Sequence, residues 1–487
     1  MISASFLYVV RPELVLALMG LFAFLVAIVG GNRVARSVGF IVLAGFFFAT
    51  ITMFSSSRLE GLLNGVFPMQ AFGGLFVDDA FARLSKVIVL VASACSILLS
   101  WHYFEKEGSS RSEYPVLVLF ATLGMMAMIS AGDFLSLYLG LELQSLSLYI
   151  LAAFKRDDAR SSEAGLKYFI LGALSSGVLL YGVSLIYGFS GTTNFDVLAN
   201  LFQSGSTVHP GVVVGLVFVC AAVAFKLSGV PFHMWAPDVY EGAPTPVTAF
   251  FASAPKLAAL ALLVRLLLGP FAGASVYWHQ AVLFIAVASM LWGAFAGLVQ
   301  FNLKRLLAYS AIANVGFLLV GVLAGGIDGV QALFIYFSIY ALNILGAFAV
   351  VLCLRRKGKE VESLSDLAGL SRTNPLLALG MAVLMFSLAG IPPLAGFFGK
   401  YFIFLAAVHH GLVFLAVIGM LSSVVSAYYY LRIVKIMYFD EPLIRIDPMT
   451  DWGVRLVLGG AALVMVAFAF MPAPLVDYTL KVAHEFV

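Results

Sequence analysis

Charged side chains are scarce in this sequence. Only 11% of its 487 residues are Asp, Glu, Lys or Arg, whereas soluble globular domains carry about 25%. Hydrophobic residues make up 62% of the chain, and the mean hydropathy is +1.03. This composition excludes a sizeable soluble domain, because too few polar groups are present to cover a folded surface in water. The small net charge of +3, spread among loops, also argues against a nucleic-acid partner.

Cysteine and histidine are few and scattered. Cys95, Cys220 and Cys353 lie singly in apolar runs, without a CxxC pair or a His/Cys spacing typical of zinc or haem sites. The seven histidines form no cluster in the sequence, and no Gly-rich dinucleotide fingerprint is present. The sequence therefore predicts that this chain itself binds no metal and no redox cofactor.

Long polar stretches are also rare. A spanning helix needs about 20 apolar residues, and windows of that kind recur along the whole chain. They give about fourteen predicted spans, at residues 12–31, 36–55, 80–101, 114–131, 133–153, 163–188, 211–235, 244–268, 277–298, 304–324, 329–352, 374–408, 411–435 and 452–472. The first run follows Arg11 and has no small-residue cleavage site, so we interpret it as a span and not as a removable signal. The sequence thus predicts an all-α integral membrane protein, a single polytopic domain over residues 1–487.

Lysine and arginine are distributed unevenly among the predicted loops. The loops after odd-numbered spans contain Arg33, Arg36, Lys106, Arg111, Lys155, Arg156, Arg160, Lys304, Arg305, Arg355, Arg356, Lys357, Lys359, Arg372, Arg432, Lys435 and Arg445. The opposite loops contain little beyond Arg11, Arg58 and Lys481. Positive residues collect on the cytoplasmic side of membrane proteins. We therefore expect both termini on the periplasmic side of a bacterial inner membrane.

Two predicted spans share an interrupted motif. Residues 225–231 (FKLSGVP) in span 7 resemble residues 386–392 (FSLAGIP) in span 12. The breaks consist of Gly229 and Pro231 in span 7 and of Gly390, Pro392 and Pro393 in span 12. Proline removes a backbone hydrogen bond, which lipid tolerates only where protein or a water-filled cavity covers the unpaired group. The matched pair indicates a transport site near the bilayer midplane, whereas either break alone could be a simple kink in a packed helix.

The two breaks occupy equivalent positions in two predicted blocks of five helices. Spans 4–8 form the first block, residues 114–268, and spans 9–13 form the second, residues 277–435. Because five is an odd number, the second block is predicted to be inverted relative to the first. Three N-terminal helices over residues 12–103 and a last helix over residues 452–472 complete the predicted architecture.

Four ionisable residues stand well inside predicted spans. Glu142 lies in span 5 and Lys226 precedes the span 7 break; Lys256 lies in the middle of span 8 and Lys400 follows the span 12 break. A charge at a helix centre costs ~2.5–3.5 kcal/mol on the lower scales, so these residues need a function or a partner. Contact with Glu142 would favour the protonated form of Lys226, and its loss would favour the neutral form, which makes the pair a candidate proton switch. The alternative is a static ion pair that fixes helix packing.

Further charged residues lie near the ends of predicted spans. Lys167, Arg265 and Lys304 can extend to the membrane interface, and Lys167 and Lys304 remain possible relay members. His233, just beyond the span 7 break, could titrate near pH 7, although a hydrogen-bonded structural histidine is the alternative.

Two further groups of charged residues are assigned to the interface and to a loop. Asp78, Asp79, Arg83 and Lys86 open span 3, where we expect mutual neutralisation near the interface. Asp238 and Glu241, which follow the span 7 break, are predicted to lie in a loop.

Several segments of the chain closely resemble a known family. They are residues 138–154 (YLGLELQSLSLYILAAF), 163–182 (EAGLKYFILGALSSGVLLYG), 231–260 (PFHMWAPDVYEGAPTPVTAFFASAPKLAAL), 302–317 (NLKRLLAYSAIANVGF) and 386–404 (FSLAGIPPLAGFFGKYFIF). With them, nearly the whole chain resembles the antiporter-like subunit N family of the proton-pumping NADH:quinone oxidoreductase, respiratory complex I. The antiporter-like subunits of that complex share inverted five-helix repeats and resemble Mrp-type cation/proton antiporters.

The resemblance implies roles for the four intramembrane residues. Glu142 and Lys226 match the ion pair of the family, Lys256 its central relay lysine, and Lys400 the lysine of its second broken helix. It also implies that protons move along a hydrated polar axis at the midplane, driven by redox energy released in other subunits. FMN, the iron–sulfur clusters and the quinone site belong to those subunits. The expected partners are the lipid bilayer and other complex I membrane subunits, especially the antiporter-like ones.

Two other functions remain open from the residues. The chain could belong to a Mrp-type cation/proton antiporter that acts outside complex I, or it could be a non-conducting membrane scaffold. Carboxylates and carbonyls suit Na⁺, whereas a path of lysines repels it, so the charge argument favours protons. Lys226 and Lys256 are the residues on which these alternatives can be tested.

Overall fold

The computed structural model describes residues 7, 9–54, 69–203, 208–442, 446–447 and 451–487, and most of them are helical. Arg58 and Arg445, two of the loop cations named above, lie outside these residues. The N-terminal part contains α1 (Arg11–Gly30), α2 (Ala35–Met53) and α3 (Ala80–Lys106). The next part contains α4 (Glu113–Ile129), α5 (Phe134–Ala152), α6 (Ala159–Ser190), α7 (Phe195–Gln203), α8 (Pro210–Leu227), α9 (Trp235–Gly242), α10 (Thr245–Ala252) and α11 (Ala254–Leu268).

The second half of the chain is also mainly helical. It contains α12 (Ser275–Leu298), α13 (Leu303–Ala324), α14 (Gly326–Cys353), α15 (Leu370–Thr373), α16 (Pro375–Ala389), α17 (Ala395–His409), α18 (Val413–Phe439), α19 (Trp452–Ala467) and α20 (Ala473–Phe486). Short 3₁₀ turns cover Gly31–Val34, Ala272–Ala274 and Leu364–Leu367. Two small antiparallel hairpins pair β1 (Met69–Ala71) with β2 (Phe76–Asp78) and β3 (Arg355–Arg356) with β4 (Lys359–Glu360).

Ten helical segments of the described chain are long and apolar enough to cross a membrane. Shorter apolar helices, α4, α16, α17 and α19, account for the remaining predicted spans. These findings confirm the predicted class, an all-α integral membrane protein.

Burial shows which helices form the centre of the molecule. In the most apolar stretch of α10 and α11, 100% of the residues are buried. In the corresponding stretches of α13 and α14, 94% and 89% of the residues are buried. In the most apolar stretch of α1 and α2, only 17% of the residues are buried. Most of their apolar side chains therefore face outward. Central helices that are apolar on every side are those surrounded by other helices, and these central helices include the one that carries Lys256.

The structure interrupts three predicted spans. The predicted break of span 7 separates α8 from α9, which begins only at the end of that span, and the predicted break of span 12 separates α16 from α17. Span 8 is confirmed as a segment that can cross a membrane, at Thr245–Leu268, but it carries a break that was not predicted: Ser253, with φ −115° and ψ −94°, separates α10 from α11. The reason is Pro255, which lacks a backbone N–H and lies at the second position of α11, where proline is favoured at a helix start.

The predicted basic loops meet at one end of the molecule. The Glu107 carboxylate forms ion pairs with Lys155 at 2.9 Å and with Arg355 at 2.9 Å. Arg36 pairs with Glu105 at 2.6 Å. Loops that follow spans 1, 3, 5 and 11 are thus brought together, as the charge alternation predicted for loops on a common side.

The opposite end carries elements that the sequence did not reveal. The chain continues beyond the predicted last helix into α20, whose Phe486 ring stacks on Phe81 of α3 at 4.3 Å. Gln331 of α14 donates to the Val476 carbonyl of α20 at 3.2 Å. The alternating polar and apolar residues of α20 explain why no span was predicted there.

The four charged residues at the start of span 3 form ion pairs that differ in part from the prediction. Arg83 pairs with Asp78 at 3.2 Å, as expected. Asp79, however, pairs with Arg265 of α11 at 2.9 Å, and an ion pair of 2.7 Å joins Lys86 to Glu13 of α1. The expectation of mutual neutralisation was therefore wrong for Asp79 and Lys86, because residues distant in sequence approach them in the fold.

Candidate functional site

The helix break in span 7 creates a helix end inside the protein. Helix α8 ends because Ser228 adopts a left-handed conformation with φ 58°. The Gly229 N–H then donates back to the Ala224 carbonyl at 2.8 Å. Pro231 has no backbone N–H with which the helix could continue. The last carbonyls of α8 are consequently available to side chains, and they carry the negative end of the helix dipole.

Lys226 lies in the last turn of α8 and reaches α5. Its buried ammonium donates to Ser145 Oγ at 2.7 Å and to Tyr149 OH at 3.2 Å. Glu142 precedes Ser145 by one turn of the same helix, and its Oε1 is buried without a hydrogen-bond partner among the described residues. The direct ion pair between Glu142 and Lys226 is absent from this arrangement of the described chain. Lys226 is therefore one helical turn away from its predicted partner.

Lys256 approaches the same helix end from α11. The residue is 3% exposed, and its ammonium donates to Ser228 Oγ at 2.7 Å. The Ser228 hydroxyl in turn donates to the Leu227 carbonyl at 2.5 Å. The Tyr240 ring lies 5.4 Å from the ammonium. The break therefore brings Lys256 into hydrogen-bonded contact with the residue that ends α8.

The break in span 12 is built from Gly390, Pro392 and Pro393. Gly390 has φ 83° and ends α16 with a left-handed residue, for which glycine is well suited. Its N–H donates to the Ser387 carbonyl at 2.9 Å. The two prolines lie in the connection to α17 and cannot donate to a helix.

Lys400 of α17 folds back onto this second helix end. Its ammonium donates to the carbonyls of Leu388 at 2.9 Å and of Ala389 at 3.2 Å, and to Ser423 Oγ of α18 at 2.7 Å. A cation at a helix C-terminus is stabilised by the helix dipole. Each half of the chain thus contains a buried lysine at a broken helix.

A buried polar cluster lies on the helices of the second half. The Ser310 and Tyr430 hydroxyls are 2.5 Å apart, and Asn314 donates to the Ser310 carbonyl at 2.8 Å. Tyr336 donates to the Asn314 side-chain oxygen. These residues join α13, α14 and α18. Because α13 packs against both α9 and α17, the cluster belongs to the helix that separates the two breaks.

Lys304, a possible relay residue, is more deeply buried than its position near a span end suggested. It is 2% exposed and donates to the Ala243 carbonyl at 2.9 Å and to the Glu362 carboxylate at 3.0 Å. Burial tends to raise the pKa of Glu362, but the Lys304 charge, the Asn302 amide and Arg160 together hold this pKa below its usual range. Lys304 and Glu362 line a polar cavity of about 270 Å³ at the basic end.

Lys167 lies in a different environment, at the surface. It forms ion pairs with Glu163 at 2.7 Å and with Asp238 at 3.0 Å, and Arg305 joins Asp238 at 2.7 Å and Glu241 at 3.1 Å. Asp238 and Glu241 were predicted to lie in a loop, and this prediction was wrong: they belong to α9. The proline at position 237 is tolerated there because it falls in the first turn of that helix.

His233 lies in the connection between α8 and α9. Its half-buried ring packs 5.8 Å from the Trp292 ring in an edge-to-face arrangement. In the described chain no hydrogen bond joins it to Lys226, Lys256 or Lys400. The structure therefore groups Glu142, Lys226 and Lys256 around the first helix end and leaves His233 beside them without a direct link.

Sequence reasoning missed the hydroxyl partners of the lysines. Ser145 and Tyr149 follow Glu142 at helical spacing and share its face, so this spacing was a usable signal. Ser228 carried a weaker signal as the residue before Gly229. Ser423 had none, because it comes from a helix that is distant in sequence. Within the described residues, no three His, Cys, Asp or Glu side chains are grouped so as to hold a metal ion.

Comparisons with known proteins agree with this architecture. Residues 131–426 match the family described as NADH:quinone oxidoreductase/Mrp antiporter, TM. The chain is 55% identical over 481 residues to the NADH-quinone oxidoreductase subunit N of Paramagnetospirillum magneticum, covering 98% of this chain and 97% of that protein.

Solved structures show the same fold. A chain of respiratory complex I from Thermus thermophilus with bound aureothin superposes with a TM-score of 0.80 at 32% identity, over 96% of this chain and 98% of that one. A chain of the Mrp complex from Dietzia sp. superposes with a TM-score of 0.84 at 23% identity, over 99% of this chain and 97% of that one. At that identity the second likeness concerns the fold alone.

Proposed function

The chain belongs to the antiporter-like family of subunit N of the NADH-quinone oxidoreductases, and on that premise we propose that its buried lysines carry protons across a bacterial inner membrane. As a complex I subunit it has no redox centre of its own, and electron transfer from NADH to quinone takes place in other subunits. Its partners are other membrane subunits of the complex, especially the antiporter-like ones.

The proposed architecture has fourteen spans with two inverted five-helix repeats, over residues 114–268 and 277–435. Similar local contacts support it. Asp133 caps α5 and pairs with Asn194 in an isolated β-bridge, and Asn302 caps α13 and pairs with Ser363 in the same way. Each repeat also contains a broken helix that ends in a left-handed residue.

The proposed orientation places the basic end in the cytoplasm. The positive residues that meet there fit the positive-inside rule. Both termini then lie on the periplasmic side, together with α20. The cavity beside Lys304 and Glu362 would open to the cytoplasm and offer a route by which protons reach the buried lysines.

The proton carriers in this proposal are Glu142, Lys226, Lys256 and Lys400. A protonated Lys226 turns between Ser145 and Glu142, and the carboxylate favours its charged form. When Lys226 returns to Ser145, its proton can pass toward Lys256, whose ammonium contacts the hydroxyl of Ser228. Lysine suits this task because its protonation state responds to burial, whereas arginine remains charged.

The path from Lys256 to Lys400 crosses the helix α13. The Ser310 and Tyr430 hydroxyls supply a hydrogen-bonded pair there. The Tyr240 hydroxyl, beside Lys256, is buried without a protein partner among the described residues, and ordered water commonly satisfies such a group. Water and hydroxyls together would complete the route to Lys400.

One observation carries the proposal: each of the three lysines proposed as carriers contacts a serine hydroxyl, whereas the buried Lys86 and Lys304 pair with carboxylates. The pairs are Lys226 with Ser145, Lys256 with Ser228, and Lys400 with Ser423. A hydroxyl can accept a hydrogen bond from an ammonium and can donate one to a neutral amine. Both protonation states of lysine are therefore accommodated, as a carrier requires. A static ion pair would instead hold the ammonium charged.

The test is NADH-driven proton pumping measured beside NADH:quinone turnover in membranes that carry Lys226→Ala or Lys400→Met. Lys359→Ala is the matched control, because Lys359 is exposed in β4 at the basic end. Loss of pumping in an assembled complex, with the control unchanged, supports the proposal. Full pumping in both lysine variants would leave the scaffold function standing.

A second candidate function is cation/proton antiport outside complex I. The family description that the chain matches also names Mrp antiporters, and this observation favours it. Co-purification separates the two functions, because only a complex I subunit will bring NADH-oxidising, flavin-containing partners with it.

A further inference from the structure

A groove of about 410 Å³ lies on the outer surface between α1, α4 and α5. It is formed where α1 ends, α4 begins and α5 ends, so it lies at the basic end of the molecule. Its apolar wall includes Phe24 and Ile28 of α1, Leu117 and Phe120 of α4, and Ile150 of α5. Phe24, Ile28 and Ile150 are 47%, 61% and 53% exposed. The groove is therefore open along the apolar side of the protein.

Three charged side chains line the mouth of this groove. They are Arg111 and Glu113, at the start of α4, and Arg156, just after α5. None of the three forms an ion pair with another described residue. This distinguishes them from cations such as Lys155 and Arg355 at the same end, which pair with Glu107.

The arrangement of charge and apolar surface matches one class of molecule. Guanidinium groups bind phosphate with charge-assisted hydrogen bonds, and basic pockets between helices at the cytoplasmic side bind lipid head groups. A carboxylate in the same site disfavours a purely anionic head group but suits one that also carries an ammonium. The apolar wall below the charges suits an acyl chain that runs along α1.

We propose that this groove binds a phosphatidylethanolamine molecule. Its phosphate lies between Arg111 and Arg156, its ammonium faces Glu113, and one acyl chain packs along Phe24 and Ile28. The site is separate from the buried lysines and does not depend on the proton path. Its role is to fill the space between the N-terminal helices and the first repeat with an ordered lipid.

The test uses the intact complex, reconstituted into vesicles of phosphatidylethanolamine and phosphatidylglycerol. In one preparation the ethanolamine lipid carries a photoreactive diazirine on an acyl chain, and in a second preparation the glycerol lipid carries it. Labelled peptides are mapped by mass spectrometry. Exposed residues of α18, Leu421 and Val424, report the labelling of an ordinary lipid-facing surface.

The proposal predicts that the ethanolamine lipid labels Phe24 and Ile28 more strongly than it labels α18. Arg111→Gln combined with Arg156→Gln should lower this excess at least about tenfold, because each charge-assisted hydrogen bond that is lost weakens binding by about that factor. Arg356→Gln, an exposed cation of β3 at the same end, is the matched control and should leave it unchanged.

Glu113→Gln separates the two lipids. It should remove the preference for the ethanolamine lipid while labelling by the glycerol lipid is retained or rises. Groove labelling no stronger than that of α18, or unaffected by the double arginine variant, would overturn the proposal. So would selective labelling by the glycerol lipid, or protection from both lipids because another subunit covers the groove. NADH:quinone turnover in each variant confirms that the complex is assembled.

Discussion

Lys226 donates a hydrogen bond of 2.7 Å to Ser145, one helical turn from Glu142. The ammonium thus contacts the turn of α5 next to Glu142, and in the described chain the carboxylate does not hold it. Such an arrangement suits a side chain that changes partner during a cycle, because the hydroxyl accommodates both protonation states. The first prediction concerns this hydroxyl.

Ser145→Ala is expected to lower NADH-driven proton pumping about tenfold, because a hydrogen bond to a charged group is worth about 1.5–3 kcal/mol. The comparison is Ser147→Ala on the same helix. Among the described residues, the Ser147 hydroxyl bonds only to the Leu143 carbonyl of its own helix, at 2.9 Å. Equal pumping in the two variants would show that Ser145 does not serve Lys226.

Substitutions at two glycines of α6 test whether the position of Tyr149 matters for proton pumping. A methyl group at Gly172 would overlap the Tyr149 hydroxyl, which also contacts Lys226, whereas a methyl group at Gly177 meets nothing within 4 Å. Gly172→Ala is expected to displace Tyr149 and reduce proton pumping several-fold. Gly177→Ala should leave pumping intact and stabilise the helix by up to about 1 kcal/mol. Proton pumping and thermal stability of the assembled complex check both statements.

The ion pair between Lys304 and Glu362 is expected to support assembly. Glu362→Gln leaves Lys304 buried without its counter-charge, which costs about 3–5 kcal/mol. Glu441→Gln, an exposed carboxylate in the described chain, is the matched control. Complex content in the membrane and the thermal unfolding temperature after solubilisation measure the effect. Unchanged values for both variants would contradict it.

The pH dependence of that effect has a definite sign. The pKa of Glu362 is held below its usual range, chiefly by Lys304 against the opposing effect of burial. A carboxyl group of this kind contributes its stability above the unfolded pKa of about 4.3 and loses it as the pH falls through the lower folded pKa. The difference in thermal unfolding temperature between the wild type and Glu362→Gln should therefore be constant from about pH 8 to pH 5. It should become smaller only at acidic pH.

The sequence predicts the parts of this fold that depend on local composition. Apolar windows locate the helices, and Gly229 with Pro231 locates a helix break, because both signals reside in neighbouring residues. Even so, the break at Ser253 escaped prediction. The apolar run continues through Pro255 without a change in hydropathy, so only the chemistry of that proline at a helix start marked it.

Contacts between distant segments could not be read from the sequence. The Lys86 ion pair with Glu13 and the Lys304 ion pair with Glu362 join residues that only the folded chain brings together. The same holds for Lys400 and Ser423. Lys226 and Glu142 were predicted to form a pair, but no sequence signal fixes which turn of α5 the ammonium contacts.

The measurement that most directly tests the proton path is NADH-driven proton pumping by complexes carrying Lys256→Met or Lys256→Arg. Lys256→Met cannot carry a proton, and Lys256→Arg keeps the charge but cannot release the proton. We expect both assembled complexes to pump at less than about a tenth of the wild-type rate. Wild-type pumping by the assembled Lys256→Met complex would contradict the account.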